Sequence, residues 1–210
     1  METITDLQPQ KRNKDRLNVY LDGEYAFSVL IKLGAGLKIG QQISLEEVSK
    51  IKAQDAVSRA KQLSFRYLSY RPRSTAEVSK YLERKGFDSS VVDDVIDQLR
   101  NREYLDDIAF ARYWIEQRQT HRPRGAFALR YELLQKGISA EIIATMVDDV
   151  NEKDAALRAV EKKTGQWKDL PKDQYWRKVS GFLQRRGFSY VTISEVAETL
   201  WLSIEDGRNA

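Results

Sequence analysis

Three glycines about 50 residues apart organise the apolar and polar positions along most of the chain. Gly86, Gly137 and Gly187 are separated by 51 and 50 residues. When the sequence is aligned on them, positions −8, −4, +1, +6, +9 and +13 are apolar in all three copies. Chance rarely repeats so many apolar columns, so the pattern indicates an internal repeat and a modular architecture.

The spacing inside each copy predicts a helix on both sides of the glycine. A glycine suits the residue after a helix end, and the basic residue before it suits the helix C-terminus. Serines after the glycine are expected to cap the next helix, namely Ser89 or Ser90, Ser139 and Ser189. A further amphipathic stretch precedes each pair, at 56–70, 107–121 and 154–167. Each copy is therefore predicted to be a three-helix module.

The N-terminal region follows a different pattern. Residues 16–30 alternate apolar and polar side chains around Asp22-Gly23, which predicts a β-hairpin. The register is open, because a tight turn pairs Leu21 with Glu24, whereas the apolar pattern prefers Leu21 with Tyr25. Residues 37–44 are a candidate for a short additional strand, and Ser44 with Glu47 forms a capping box that begins the helical region.

The predicted fold is mainly α: three tandem three-helix modules in an elongated curved array, preceded by a small N-terminal β-hairpin. We expect the hairpin extension to span residues 1–43. Module 1 is expected to span 44–103, module 2 to span 104–151 and module 3 to span 152–210.

Charge is separated within each module, although the net charge of the chain is only +4. The segments 71–86, 122–137 and 173–187, which precede the glycines, each carry a net charge of +3. The following helices are acidic, with net charges of −4, −3 and −2. If the modules stack in one orientation, the basic segments form one positive stripe that suits a long, periodic partner. The alternative is that both sets are solvated faces that complement helix dipoles.

Two of the basic segments open on Arg-Pro-Arg, at residues 71–73 and 122–124. Pro72 and Pro123 are well placed to open a helix, and Ser74 is a candidate cap. Neither role requires arginine on both flanks, so these arginines become candidates for phosphate or carboxylate contacts. Module 3 lacks the motif, and its basic residues lie at Arg177, Lys178, Arg185 and Arg186.

The sequence offers no case for catalysis. It has no cysteine, a single histidine (His121) and no P-loop, so neither a metal site nor a cofactor is predicted. Asp106 and Asp107 suit the acidic first turn of a helix better than a carboxylate pair. The aromatic residues Tyr113, Trp114, Trp167 and Trp176 are candidates for base stacking, although core or inter-module packing is the favoured interpretation.

The motifs "YLSYRPRSTAEVSKYLERKGF", "YLDDIAFARYWIEQR", "RPRGAFALRYELLQKGI" and "FLQRRGFS" together resemble the RecX regulatory proteins of bacteria. The similarity covers residues 56–200, and the hairpin resembles the N-terminal extension of longer members. One departure is Glu103, where the family commonly has glycine. The resemblance implies a modulator, usually an inhibitor, of the recombinase RecA. Such proteins are thought to lie in the groove of the RecA–single-stranded-DNA filament and to restrain its growth, ATP hydrolysis and strand exchange.

The basic residues become the candidate contacts with that filament and its DNA. They are Arg71, Arg73, Arg84, Lys85, Arg122, Arg124, Lys136, Arg177, Arg185 and Arg186. A cytoplasmic protein is expected, because the chain has neither a secretory signal nor an apolar run that spans a membrane. We also expect a monomer. Two alternatives remain: a stand-alone non-specific DNA-binding protein, and a scaffold that binds an unrelated protein through apolar patches.

Overall fold

The N-terminal region forms a four-stranded antiparallel sheet in the computed structural model, which describes residues 1–209 without the side chains at 162, 208 and 209. The strands are β1 (Glu2–Pro9), β2 (Arg16–Leu21), β3 (Glu24–Leu30) and β4 (Gln42–Ile43), in the order β3-β2-β1-β4. A single turn, α1 (Ile31–Gly34), follows β3. The hairpin and the short strand are therefore confirmed, but β1 was not predicted.

A β-bulge resolves the register of the hairpin. Leu21 pairs with Glu24 across the tight turn, and the register then shifts so that Val19 pairs with Phe27. The extra residue, Ala26, returns the apolar side chains of both strands to one face. The tight Asp-Gly turn and the alternation of apolar side chains are therefore both accommodated, because the bulge lies between the turn and the buried part of the ladder.

Helices account for the rest of the fold in three modules, as the repeat predicts. Module 1 contains α2 (Leu45–Leu68), α3 (Thr75–Arg84) and α4 (Ser89–Arg100). Module 2 contains α5 (Asp107–His121), α6 (Ala126–Gln135) and α7 (Ala140–Asp148). Module 3 contains α8 (Glu152–Trp167), α9 (Lys172–Gln184) and α10 (Tyr190–Asn209).

The aligned apolar columns form the module cores. The −8 and −4 columns are fully buried in every module, and the +6 column is almost so. The three glycines that anchor the alignment have φ angles of +84°, +75° and +77°, the left-handed conformation expected after a helix end. At roughly 1.5–3 kcal/mol for each large apolar side chain, these columns are a main source of stability for each small bundle.

Most of the helix starts agree with the sequence. Ser44 and Glu47 form the expected capping box, and Ser139 and Ser189 accept hydrogen bonds as caps of α7 and α10. The prediction of Ser89 or Ser90 as the cap of α4 was wrong. Ser89 is already the first helical residue, so the cap position falls on Asp88.

The prolines of the Arg-Pro-Arg motifs do not open their helices, which corrects the prediction. The helices α3 and α6 begin at Thr75 and Ala126, three residues after Pro72 and Pro123. Ser74 is instead the residue that caps α3: its hydroxyl accepts from the Glu77 N–H at 3.2 Å. Both prolines therefore lie in the segments that lead into the helices, before the capping residues.

The described chain divides into two compact units. The first contains residues 1–71 and 78–104, and the second contains residues 72–77 and the described residues from 105 onward. In the first unit, Asp55 on α2 is buried and binds Arg16 on β2 at 2.8 Å, together with the Leu30 N–H at 2.9 Å. This pair holds the sheet on α2. The curved arrangement of the modules stays a prediction.

Candidate functional site

The first turn of α3 packs against the turn after α6, within the second unit. The Ser74 hydroxyl donates to the Lys136 carbonyl at 2.6 Å, and the Lys136 ammonium binds the Glu77 carboxylate at 2.8 Å. The Thr75 N–H donates to Asp107 at 2.8 Å. We call this set the first joint: residues 74–77 with Asp107, Lys136 and Gly137.

The first turn of α6 makes the corresponding contacts with module 3. The Gly125 N–H donates to the Arg186 carbonyl at 3.0 Å, and the Phe127 N–H donates to the Gly187 carbonyl at 3.2 Å. The Ala126 N–H donates to Glu152 at 2.9 Å. These residues, 124–127 with Glu152, Arg186 and Gly187, form the second joint.

The two joints explain why the sequence repeats an Arg-Pro-Arg start and a basic-glycine turn. In each, a helix start docks on a turn in which a basic residue precedes glycine. A carboxylate from the first helix of the following module accepts from the first helical N–H. The contact is close, since a Cβ on Gly125 would overlap the backbone of Gly187, and one on Gly137 would overlap Ala76. Much of the repeated motif is therefore structural.

Glu152 is the carboxylate of the second joint. Burial disfavours its charge, but hydrogen bonds from the Ala126 N–H, the Thr192 hydroxyl and Ser189 outweigh burial and lower the pKa of Glu152. The charged form is consequently the one that the joint stabilises.

Three guanidinium groups gather beside the second joint. Arg186 donates to the carbonyl of Pro123, the residue between Arg122 and Arg124 in the sequence, at 3.4 Å. Its guanidinium also lies over Phe182, 4.5 Å from the ring centroid. Burial lowers the pKa of Arg186, and the charges of Arg124 and then Arg122 lower it further. We call Arg122, Arg124 and Arg186 the arginine cluster.

The arginine cluster keeps much of its positive charge. Arg124 is half-buried and approaches Glu132 only at 3.7 Å. Within the described residues, neither Arg122 nor Arg186 has a carboxylate within 4.0 Å. A group of mutually repelling cations is stabilised by an anion, and guanidinium groups suit phosphate or carboxylate oxygens.

The N-terminal sheet and all three modules match models of a single protein family. Residues 2–44 match the regulatory protein RecX N-terminal domain. Residues 60–99, 106–146 and 151–197 match the first, second and third three-helix domains of RecX. The chain belongs to the RecX family.

Curated relatives and solved structures agree with this assignment. The regulatory protein RecX of Clostridium botulinum (strain Eklund 17B / Type B) is 30% identical over 205 residues, which are 94% of this chain and 96% of that protein. The Bacillus licheniformis protein of the same name is 32% identical over 214 residues, 99% of this chain and 81% of its own length.

Two crystal structures of RecX proteins share the fold. One, of regulatory protein RecX, is 25% identical with a TM-score of 0.72 and covers 94% of this chain and 100% of its own. RecX from Lactobacillus salivarius is 20% identical with a TM-score of 0.65 and covers 71% of this chain and 99% of its own. The second comparison shows the fold alone.

The other candidate residues of this RecX-family chain lie in different surroundings. In the first unit, Arg84 and Lys85 are exposed at the end of α3, and the Lys85 ammonium lies 5.6 Å from the Tyr81 ring centroid. Arg71 also belongs to the first unit, whereas Arg73 belongs to the second.

The remaining candidates in the second unit are of two kinds. Arg177 and Arg185 are exposed on and just after α9, and Arg177 approaches Asp173 at 3.9 Å. Lys136 is instead bound to Glu77 in the first joint. Its ammonium is thus committed to the fold, which weakens its candidacy as a contact for a partner.

The aromatic candidates are packed, as the favoured interpretation expects. Trp114 donates to Glu132 at 2.8 Å, and the cations of Arg118 and Lys136 lie 4.5 and 4.8 Å from its ring centroid. Trp167 contacts Phe182 edge to face, and Trp176 packs against the core of module 3. Tyr113 is half-buried on α5.

Asp106 and Asp107 act at helix starts rather than as a catalytic pair. Asp106 caps α5 by accepting from the N–H groups of Ile108 and Ala109 at 2.8 and 3.0 Å. Asp107 serves the first joint, a role that the sequence did not reveal. Among the described residues, no group of three histidine or acidic side chains is arranged to hold a metal ion, and no helix has the length and apolarity to cross a bilayer.

Proposed function

We propose that this chain regulates RecA, as an inhibitor, by binding in the groove of the RecA–single-stranded-DNA filament. Membership of the RecX family supports RecA as the partner. The observation that carries the mode of binding is the arginine cluster, because its guanidinium groups keep much of their positive charge and suit the phosphates or carboxylates of a nucleoprotein filament.

The structure refines which residues to test. We keep Arg71, Arg84 and Lys85 as contacts from the first unit, and Arg73 and the arginine cluster with Arg177 and Arg185 as contacts from the second. Lys136 becomes the weakest candidate, since an ammonium that binds Glu77 at 2.8 Å must break that pair to reach a phosphate.

The proposed action is steric and electrostatic, with no reaction catalysed. A monomer in the cytoplasm bridges successive RecA protomers and opposes filament growth, ATP hydrolysis and strand exchange. Because several modules bind one periodic partner, weak contacts in each add to a strong total through effective concentration.

The test is RecA-dependent ATP hydrolysis on single-stranded DNA with increasing amounts of the protein. We expect inhibition by the wild-type chain and at least a tenfold higher half-inhibitory concentration for Arg122→Glu/Arg124→Glu. The matched control, Arg112→Glu/Arg158→Glu, makes the same charge change at exposed positions outside the proposed contacts. Its half-inhibitory concentration should stay within about threefold of the wild-type value.

Two results would count against the proposal in different ways. A wild-type protein without effect on RecA would overturn RecA regulation itself. Equal inhibition by the wild type and the Arg122→Glu/Arg124→Glu variant would remove the arginine cluster from the contact surface and leave the partner unchanged.

A second candidate, direct binding to DNA, is favoured by the same cluster because phosphate is one of its suitable anions. Affinity measured across salt concentrations for bare single-stranded DNA, free RecA and the filament separates the two. Each phosphate contact on single strands adds about −0.7 to the log–log salt slope, so three guanidinium groups add about −2. Equal and equally salt-dependent affinity for bare DNA and filament would favour the second candidate.

A further inference from the structure

Helix α6 has two apolar faces, and only one of them is buried. Leu129 and Leu133 are fully buried in the core of module 2. On the other side, Phe127, Tyr131 and Leu134 are exposed by 66%, 65% and 54%. Their spacing of four and three residues places them on one stripe of the helix, about 10 Å long, which we call the α6 face.

The repeat shows that this stripe is not needed to build a module. At the same positions before the glycine, module 1 has Ala76, Lys80 and Glu83, and module 3 has Arg177, Gly181 and Gln184. Both of those modules fold with the same three helices. Exposing three large apolar side chains to water costs the free protein free energy. Because the fold does not need them, we interpret the α6 face as a binding surface.

We infer that the α6 face is a docking surface for a protein partner whose apolar contact residues are bordered by carboxylates. Spacing of i, i+4 and i+7 is the pattern by which a helix anchors in an apolar protein surface. The inference rests on the proposed function in one respect: the partner in question is the protein part of the filament, not its DNA.

The charges around α6 indicate acidic residues on the partner. Arg130 is paired with Asp148 at 2.7 Å, and Lys136 with Glu77 at 2.8 Å, so these two cations of the helix are compensated. In the arginine cluster next to the first turn of α6, only Arg124 approaches a carboxylate, that of Glu132 at 3.7 Å, among the residues that the structure describes. Carboxylates on the partner would compensate this end while apolar side chains cover the stripe.

Two other occupants fit the α6 face less well. Nucleic acid requires stacking platforms and free cations, but Leu134 cannot stack, and Arg130 on the same helix is already paired with Asp148 at 2.7 Å. A second copy of the chain, docked by twofold symmetry, would bring one arginine cluster to the same interface as another. Complementary charge therefore favours a different, acidic protein surface.

The test transplants the residues of module 1 onto α6, as Phe127→Ala/Tyr131→Lys/Leu134→Glu. This variant adds one positive and one negative charge, so the net charge is unchanged, and long-range attraction to DNA should be preserved. We expect at least tenfold weaker binding to the RecA–single-stranded-DNA filament, measured by fluorescence anisotropy. Affinity for bare single-stranded DNA and the salt slope should stay the same within about twofold. The matched control, Ala144→Lys/Thr145→Glu, adds the same pair of charges at exposed positions on α7 and should leave filament binding unchanged.

Each outcome decides a separate point. Normal filament binding by the triple variant would overturn the inference and leave the proposed function intact. An equal loss of affinity for bare DNA would do the same, because it would indicate a base-stacking surface. A wild-type dimer that the triple variant dissociates in sedimentation would also overturn it, because the occupant would be a second copy. Lack of filament binding by the wild-type chain would overturn the proposed function first, and this inference with it.

The folding of the triple variant is checked by its thermal unfolding. Since the replaced side chains are mostly exposed, its melting temperature should be close to that of the wild type. If the triple variant does not fold, the single variants Tyr131→Lys and Phe127→Arg provide the same comparison, the second placing at 127 the residue that module 3 has at the equivalent position. Each is expected to weaken filament binding at least threefold, and full binding by both would overturn the inference.

Discussion

Glu152 accepts a hydrogen bond from the N–H of Ala126 at 2.9 Å, so the first residue of α8 caps the first residue of α6. Asp107, the first residue of α5, does the same for Thr75, the first residue of α3. A carboxylate of one module thus stabilises a helix start that precedes it in the chain, and it does so at both joints.

Replacing Glu152 with Gln should lower the free energy of unfolding by about 1–2 kcal/mol, because the amide loses the charge that its donors stabilise. The control is Glu161→Gln, an exposed position on the same helix. Chemical denaturation at pH 7 measures the difference, and equal stability of the two variants would contradict the role of Glu152.

The same substitution should change the dependence of stability on pH. The pKa of Glu152 is lowered in the folded protein, so its contribution is fully present above the unfolded pKa of about 4.3 and is lost as the pH falls through the folded value. The stability gap between wild type and Glu152→Gln should therefore be constant above about pH 5.5 and narrow below pH 4. A gap that widens on acidification would show that the charged form is not the stabilised one.

Gly125→Ala should destabilise the second joint by about 1–3 kcal/mol, since the new methyl group meets the carbonyl of Gly187 and the backbone of Phe188. The φ angle of Gly125 is −76°, which alanine adopts without strain, so the effect reports the close approach. Gly165→Ala is the control: nothing lies within 4 Å of its Cβ, and alanine favours the helix. Thermal unfolding should show a lower melting temperature for the first variant and an equal or higher one for the second.

Asp55→Ala should lower stability by about 3–5 kcal/mol, because it leaves Arg16 and the Leu30 N–H without their buried acceptor. The double variant Arg16→Met/Asp55→Leu removes both charges and should be less destabilised than Asp55→Ala. Limited proteolysis should cut the N-terminal sheet of the single variant first. Equal stability of single and double variants would show that the buried charge is not the cause.

Trp114→Phe should reduce stability by about 1–2 kcal/mol, through the lost hydrogen bond to Glu132 and a weaker interaction with Arg118 and Lys136. Affinity for single-stranded DNA should remain within about twofold. A tenfold loss of DNA affinity in a stable variant would instead return Trp114 to the base-stacking candidates.

The helical part of the fold could be predicted because the three glycines align apolar columns that become the module cores. The strand β1 was missed, since Glu2–Pro9 reads as a polar segment and its pairing with β2 is not local. The hairpin register was left open because a bulge at Ala26 is visible only once both strands are paired.

The candidate site was only partly predictable. The arginines were singled out by repetition, but sequence spacing does not show that Lys136 binds Glu77 while Arg122, Arg124 and Arg186 come together. The capping carboxylates escaped because Asp107 lies 30 residues before its glycine and Glu152 lies 35 before its own, so the alignment does not superimpose them. The α6 face was not predicted, because α6 is apolar on both sides and its sequence alone does not show which side is exposed.

The two joints have different residues at the same position of the repeat, so the helix start of one joint does not fit the turn of the other. Ser74 enters the first joint with its side chain, whereas its counterpart Gly125 has no room even for a methyl group. A chimera that placed a Ser74-type helix start against the Gly187 turn would clash with backbone atoms. Exchanging the helix starts of the two joints is therefore expected to destabilise the protein, so each helix start fits only its own turn.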